Sequence, residues 1–365
     1  MITNTVCITL SQAQIGMVCA EDIYSSSRLK LIEKGEAITQ THLFRLKLYQ
    51  IFHIHVYYDP AMFVSNQESQ TNSGTEIVNA FECQAHFKRF KKNYIFTLGK
   101  INLLIYSLIE GTNVEQELYQ CCSDLLSYLP NNNDLFSYLY HIESKTDKEA
   151  TLMHCLNVAM ICSIFGKWLN LPDNEVKDLT LSGLLHDIGK FNISNDIINK
   201  PGRLTAEEFE IIKNHPIDGF HRVKDSALSY GVKMAILQHH EKIDGSGYPY
   251  GFQSKEIHEY AKIVEIIDIY DAMTSDRTYR KRISPFCVLN ILENDGHTML
   301  DSKLLSIFLE QLAILYIGKT ALLSNGETGK IILVNRNLPS RPLVQTGSKL
   351  YNLEFEKDLN IVDII

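Results

Sequence analysis

The sequence has no CxxC pair, no excess of basic residues, no long apolar run and no internal repeat. Each absence removes a class of protein. The eight cysteines include one adjacent pair, Cys121 and Cys122, and read as free thiols of a reducing compartment rather than a disulfide framework or a zinc finger. Lys and Arg number 35 against 43 Asp and Glu, a formal charge of −8, which argues against general nucleic-acid binding. An anionic substrate would need locally placed positive charge. Apolar stretches such as 101–109 fall short of the roughly 20 residues that span a bilayer, so no membrane insertion is expected. The start, MITNTVCITLSQ, lacks the basic segment and apolar core of a signal peptide. A soluble cytoplasmic protein is expected. No receiver-type phosphoacceptor arrangement is visible.

What is present is an ordinary globular balance, 45% hydrophobic and 21% charged, over 365 residues. That length suits two or three compact units. Val6, Ile8 and Leu10 alternate, as do Phe52, Ile54, Val56 and Tyr58, the period of half-buried strands. A short helix is expected between them, over 39–50. Residues 1–60 therefore read as a small α/β module that could serve a regulatory role, and the polar, aperiodic stretch 61–76 as a linker. Helical signals dominate 77–316. Pro172 with Asp173 and Glu175 opens one helix, and Thr205 with Glu208 forms a capping box for another. Residues 77–145 read as a helical connecting region whose Leu, Ile and Tyr stripes could pair two copies. Over 317–365 short alternating runs return, with Asn325-Gly326 marking a β-hairpin. The fold class expected is mainly α, with a small N-terminal α/β module and a short C-terminal β-hairpin region.

Chemistry concentrates between 150 and 285. His154 shares a helical stripe with Val158, Ile161 and Phe165. His186 and Asp187 end an apolar helix; His215 closes the helix begun by the capping box; His239 and His240 end another; Asp268 lies on the stripe of Ile257, Ala261 and Val264. A lone histidine on such a stripe is ordinarily a hydrogen-bonded core residue. Seven together are different. Buried without partners, such groups cost several kcal/mol per ion. A metal cluster explains all seven by one cause. Two divalent cations against two carboxylates leave charge for a hydroxide and a phosphate. The donors are nitrogen and oxygen only, which favours iron or manganese, with zinc an alternative.

The order His154, His186-Asp187, His215, His239-His240, Asp268 resembles the metal-binding order of the HD phosphohydrolase superfamily. The segment HHEKIDGSGYP (239–249) is similar to the pattern that names the HD-GYP subfamily, and DIYDAMTSDRTYR (268–280) to its continuation. The resemblance covers about residues 146–316 and implies an all-helical HD-type catalytic domain. It implies that Asp187 bridges two divalent metals. His154, His186 and Asp268 would hold one, and His215, His239 and His240 the other. A metal-bridging hydroxide would then open cyclic di-GMP. Lys190 resembles the subfamily's lysine facing the scissile phosphate, and Arg277 and Arg280 the positions that hold substrate phosphates. Tyr248 could line the guanine pocket or prop the loop. Glu241 and Asp244 are expected to accept hydrogen bonds from ligand imidazoles.

Some members of the subfamily carry a glutamate one helical turn before the first histidine, which supports a third metal. Here that position is Ala150, so two metals are expected. The expected product is the linear dinucleotide pGpG, with GMP a further step. A binding module that senses cyclic di-GMP without cleaving it, and a hydrolase for another cyclic dinucleotide, are the alternatives. Residues 1–60 could dock a signalling partner or a second copy.

Overall fold

The computed structural model describes residues 5–10, 13–25, 29–49, 51, 53–57, 85–142, 147–194, 197, 205–275 and 283–365. The expected linker over 61–76, Phe52 and Tyr58 of the expected alternating run, and Arg277 and Arg280 lie outside them.

Near the N-terminus, β1 (Thr5–Thr9), β2 (Ile23–Tyr24), β3 (Lys30–Ile32), α1 (Gln40–Leu48) and β4 (His53–Tyr57) follow in order. β1 and β4 pair antiparallel, with Val6 opposite Val56 and Ile8 opposite Ile54. Alternation sends Ile8, Ile54 and Val56 to one face, where Leu46 of α1 and Ile32 of β3 close a small apolar cluster.

The helical body begins with α2 (Ala85–Ile109), α3 (Glu115–Tyr128) and α4 (Asn132–Tyr140). At its centre is α5 (Asp147–Trp168), buried almost without break from Leu152 to Gly166. The segment Glu149–Trp168 is long and apolar enough to cross a membrane by composition alone, yet 83% of its window is buried inside the fold. Its apolarity is that of a core helix surrounded by others. Around it run α6 (Asp173–Leu185), a 3-10 turn at Ile188–Asn192, α7 (Ala206–Lys213), α8 (His215–Val223), α9 (Tyr230–Gln238) and α10 (Glu259–Thr274). Further on come α11 (Pro285–Asp295) and α12 (Ser302–Ile314).

The expected starts of α6 and α7 are present, the latter with both halves of its capping box. One boundary differs. His215 does not close α7; that helix ends at Lys213, and His215 opens α8 with Pro216 in its first turn. Proline's missing N–H is tolerated there because first-turn amides have no partner within the helix.

The hairpin at Asn325-Gly326 joins β5 (Thr320–Leu323) to β6 (Thr328–Asn335), with Gly326 at φ +83. It belongs to a larger unit than the short hairpin region expected. β7 (Leu338–Thr346), β8 (Lys349–Asn352) and β9 (Ile361–Ile364) complete a five-stranded antiparallel sheet of order β8-β7-β6-β5-β9. The sheet leans on α11, where Asn290 Nδ2 donates to Ser340 Oγ at 3.3 Å. At the end of α11, Arg45 of α1 grips both oxygens of Asp295, at 2.8 and 2.9 Å. Met299, in the turn that follows, accepts a hydrogen bond from Ile243 N at 2.9 Å.

Candidate metal centre

Five helices or their ends deliver the seven side chains to one place. His154 comes from the third turn of α5, Asp268 from α10, and His186 caps the C-terminal end of α6, with Asp187 next. His239 caps the C-terminal end of α9, and His215 stands just past the end of α7.

The last carbonyls of a helix lack intrahelical partners. Three of the histidines use them. His186 Nδ1 lies 2.8 Å from Gly183 O, His215 Nδ1 2.7 Å from Ile212 O, and His239 Nδ1 3.0 Å from Ile236 O. A carbonyl only accepts, so each Nδ1 carries the proton and each Nε2 is left with a bare lone pair.

Those lone pairs converge on Asp187, whose side chain is almost wholly buried. Asp187 Oδ1 is 3.1 Å from His215 Nε2 and 3.6 Å from His239 Nε2. His215 Nε2 and His239 Nε2 are 3.2 Å apart. Asp187 Oδ2 is 3.4 Å from His186 Nε2 and 4.0 Å from His154 Nε2. Asp187 Oδ1 and His186 Nε2 are buried without a hydrogen-bond donor. Acceptors facing acceptors at these separations repel unless a cation lies among them, so the residues fit a metal site.

The donors fall into two groups that share Asp187. One atom each from Asp187, His215, His239 and His240 lie within 4.8 Å of one another, and so do atoms of His154, His186 and Asp187. Asp268 joins through His154, its Oδ1 2.9 Å from His154 Nε2.

Protonation follows the surroundings. Burial lowers His215 to about 4, with the Lys190 ammonium contributing. It also lowers His239 and His240, His240 the further because His239 and His215 lie beside it. These imidazoles are neutral near pH 7, the form that binds metal. His154 goes the other way. Burial disfavours its charge, but hydrogen bonds to Asp268 and Asp271 outweigh that and raise it to about 9. A cation at His154 Nε2 therefore competes with a proton. Burial works against ionised Asp187, yet Lys190 and His186 hold its carboxyl well below the usual range.

Asp271 was missed in the sequence. It lies one turn beyond Asp268 on α10. Its Oδ2 is 2.7 Å from His154 Nδ1, and its Oδ1 accepts from Asn157 Nδ2 and Ser275 Oγ, each at 3.0 Å. Tyr94 of α2 donates to Asn157 Oδ1 at 2.7 Å. The available signal was a second carboxylate three residues after Asp268, on the same face of a largely buried helix.

Glu241 and Asp244 do not support the imidazoles as expected. Glu241 accepts from Tyr250 N at 2.7 Å and Phe252 N at 3.0 Å, and Asp244 from Ser246 N at 3.0 Å. Both shape the loop. Their carboxylates are taken up by main-chain amides of the loop that follows. At Gly247 a Cβ would come 2.4 Å from Lys242 N and 2.5 Å from His240 O, so the loop closes onto the histidine pair only with glycine there. Tyr248 follows, its ring 4.7 Å from that of His240 and tilted by 32°. Lys213 Nζ lies 5.8 Å from the centre of the tyrosine ring, and Lys190 Nζ 2.7 Å from Asp187 Oδ2. Both add positive charge at the mouth of the cluster.

A family model described as HD domain matches residues 133–304. The chain is 36% identical over 208 residues to a cyclic di-GMP phosphodiesterase of Pseudomonas aeruginosa, covering 56% of this chain and 49% of that protein. It is 35% identical over 148 residues to a 3'3'-cGAMP-specific phosphodiesterase of Vibrio cholerae, covering 40% of this chain and 34% of the other. The chain thus spans about half or less of the length of these relatives. Among solved structures, an HDG"Y"P protein of Bdellovibrio bacteriovorus matches with a TM-score of 0.50 at 19% identity, over 85% of this chain and 99% of that one, a likeness of fold. Residues 133–304, just under half of this chain, are thus the part that is similar to the HD domain family.

Proposed function

We propose that the chain is a metal-dependent phosphodiesterase that opens a cyclic dinucleotide, cyclic di-GMP, to pGpG. The observation that carries this reading is the set of inward-facing lone pairs around Asp187, grouped into two donor sets that share one carboxylate. The named activities of the relatives supply the substrate class. Residues 146–316 form the catalytic unit in this reading, with 77–145 connecting it to the N-terminal module.

This reading gives each residue a role. His215, His239 and His240 hold one divalent ion, His154, His186 and Asp268 the other, and Asp187 belongs to both. Iron or manganese suits imidazole and carboxylate donors. Such ions polarise a phosphoryl oxygen and lower the pKa of water near neutral pH. Lys190, half-buried beside Asp187, faces the phosphate. Arg277 and Arg280 grip the phosphates through planar guanidinium groups. Tyr248 steadies His240 and lines the base pocket. The second substrate reading, 3'3'-cGAMP, is favoured by the relative so named. Incubating metal-loaded protein with a panel of cyclic and linear nucleotides decides between them. Binding of cyclic di-GMP without cleavage would instead mark a sensor.

Three results are expected. First, the protein prepared without oxygen holds about two transition-metal ions per chain. His215→Ala or His240→Ala loses one and keeps the other; metal analysis that finds both gone together contradicts the split. Second, Asp271→Ala weakens loading at the His154 group by about 10–100-fold, the range for partners of ligand histidines. Asp271→Asn, which keeps an acceptor oxygen, loses less. Titration with manganese measures both, and equal loading of Asp271→Ala and wild type refutes the role. Third, Arg277→Ala and Arg280→Ala each weaken cyclic dinucleotide binding by about one to two decades with metal content unchanged. Unaltered affinity in both variants returns these arginines to the solvated surface.

A further inference from the structure

Helix α2 turns one face away from the body. Phe96 is 75% exposed, Leu103 69% and Ile95 59%. At about 100° per residue, Arg89, Lys92, Phe96, Gly99 and Leu103 fall within an arc of about 80°, and so does Glu110, just past the end of α2, whose N–H still donates to Tyr106 O. The opposite face, including Tyr94, Ile101 and Ile105, is buried in the core. The outward stripe therefore carries two exposed apolar side chains, Phe96 and Leu103, seven residues apart on either side of Gly99, with charged residues beyond them. Gly99 leaves a gap in its middle, with no atom within 4 Å of where a Cβ would stand. Arg89 and Glu110 are exposed, and neither has an ion-pair partner among the described residues.

We propose that this face docks on the same face of a second copy of the chain, antiparallel, about a two-fold axis beside the Gly99–Lys100 bond. Charge selects this arrangement. The register that sets Phe96 against Leu103 of the second copy also sets Arg89 against Glu110 of that copy, and the symmetry repeats both pairs. A parallel pairing would instead lay Arg89 on Arg89 and Lys92 on Lys92, which repel. The gap at Gly99 lets the helices approach at the crossing. One face of a helix about 37 Å long offers less than the roughly 800 Å² per partner of a standard interface, so the dimer is reversible.

Sedimentation velocity of the full chain across the micromolar range tests this. A monomer–dimer equilibrium is expected, shifted to monomer in Leu103→Glu. Arg89→Glu and Glu110→Arg each place two like-charged pairs in the dimer and raise Kd by about tenfold. The double variant Arg89→Glu/Glu110→Arg restores the wild-type constant, because the pairs re-form with signs exchanged. All these positions face solvent, and the charge-swap set stands on its own should Leu103→Glu fold poorly. A monomer at every concentration overturns the proposal, as does a Leu103→Glu dimer as tight as wild type. A double variant as weak as the single ones rejects the antiparallel register.

Discussion

Asp187→Asn is expected to leave a folded protein that holds little metal and hydrolyses its substrate at least about a thousandfold more slowly, the upper range for losing one electrostatic group. The reason is position. Asp187 Oδ1 faces His215 and His239, and Oδ2 faces His186 and His154, so one side chain serves both donor groups. Asparagine keeps the shape but removes the charge and turns one of the two oxygens into an N–H donor. Two divalent ions would then have one anionic ligand between them, Asp268, instead of two. Lys190 would also lose the carboxylate it touches at 2.7 Å. Weak substrate binding should survive, because the proposed function also assigns substrate contacts to Arg277, Arg280 and Tyr248. The measurement is paired on one sample: circular dichroism and metal content, then binding and product chromatography. A folded Asp187→Asn protein that cleaves at the wild-type rate would falsify the proposed mechanism.

Gly189→Ala should damage the same site from the backbone side. An added Cβ would stand 2.0 Å from His215 O, 2.8 Å from His215 C and 2.9 Å from Gly219 N. All three are main-chain atoms, so no side chain can swing aside. The 3-10 turn carrying Gly189 and helix α8 must separate, and His215 leaves Asp187 with them. Overpacking costs about 1–3 kcal/mol where side chains can adjust, and this contact should exceed that range. The urea midpoint falls, and the ion proposed for the His215 group is lost. A variant with an unchanged midpoint and full metal content would show that the turn and α8 are not held this closely.

The seven candidate ligands stand out in the sequence because they break a pattern. Imidazoles and carboxylates on apolar helical faces are conspicuous against Val158, Ile161 or Val264. Their supports were not legible. The anchors of His186, His215 and His239 are main-chain carbonyls, which carry no letter in the sequence. Asp271 does, but its partner His154 lies 117 positions earlier, and nothing local joins them. The reverse error befell Glu241 and Asp244, whose nearness in sequence to His239 and His240 suggested a contact that the turn diverts to its own amides. His215 was given to the wrong helix because Pro216 was read as a stop, whereas proline serves equally as a start. The fold class was readable in outline. Strand β7 was hidden by Pro339 and Pro342, which cannot donate to a ladder on both sides. The structure accommodates them in the half of β7 that lacks β8, since β8 pairs only with Leu343–Thr346.

The anchoring of the imidazoles also bears on how each ring tolerates change. For His186, His215 and His239 the orientation of the ring is written into helix ends. No substitution at Gly183, Ile212 or Ile236 can delete a carbonyl, so those side chains are free to drift as long as the helix stops where it does. His154 has no such insurance. Its orientation is held by Asp271, a side chain that one nucleotide change can remove, and Asp271 in turn rests on Asn157 and Tyr94. The rings therefore differ in genetic fragility: the orientations of His186, His215 and His239 are inherited with the fold, whereas that of His154 must be maintained residue by residue.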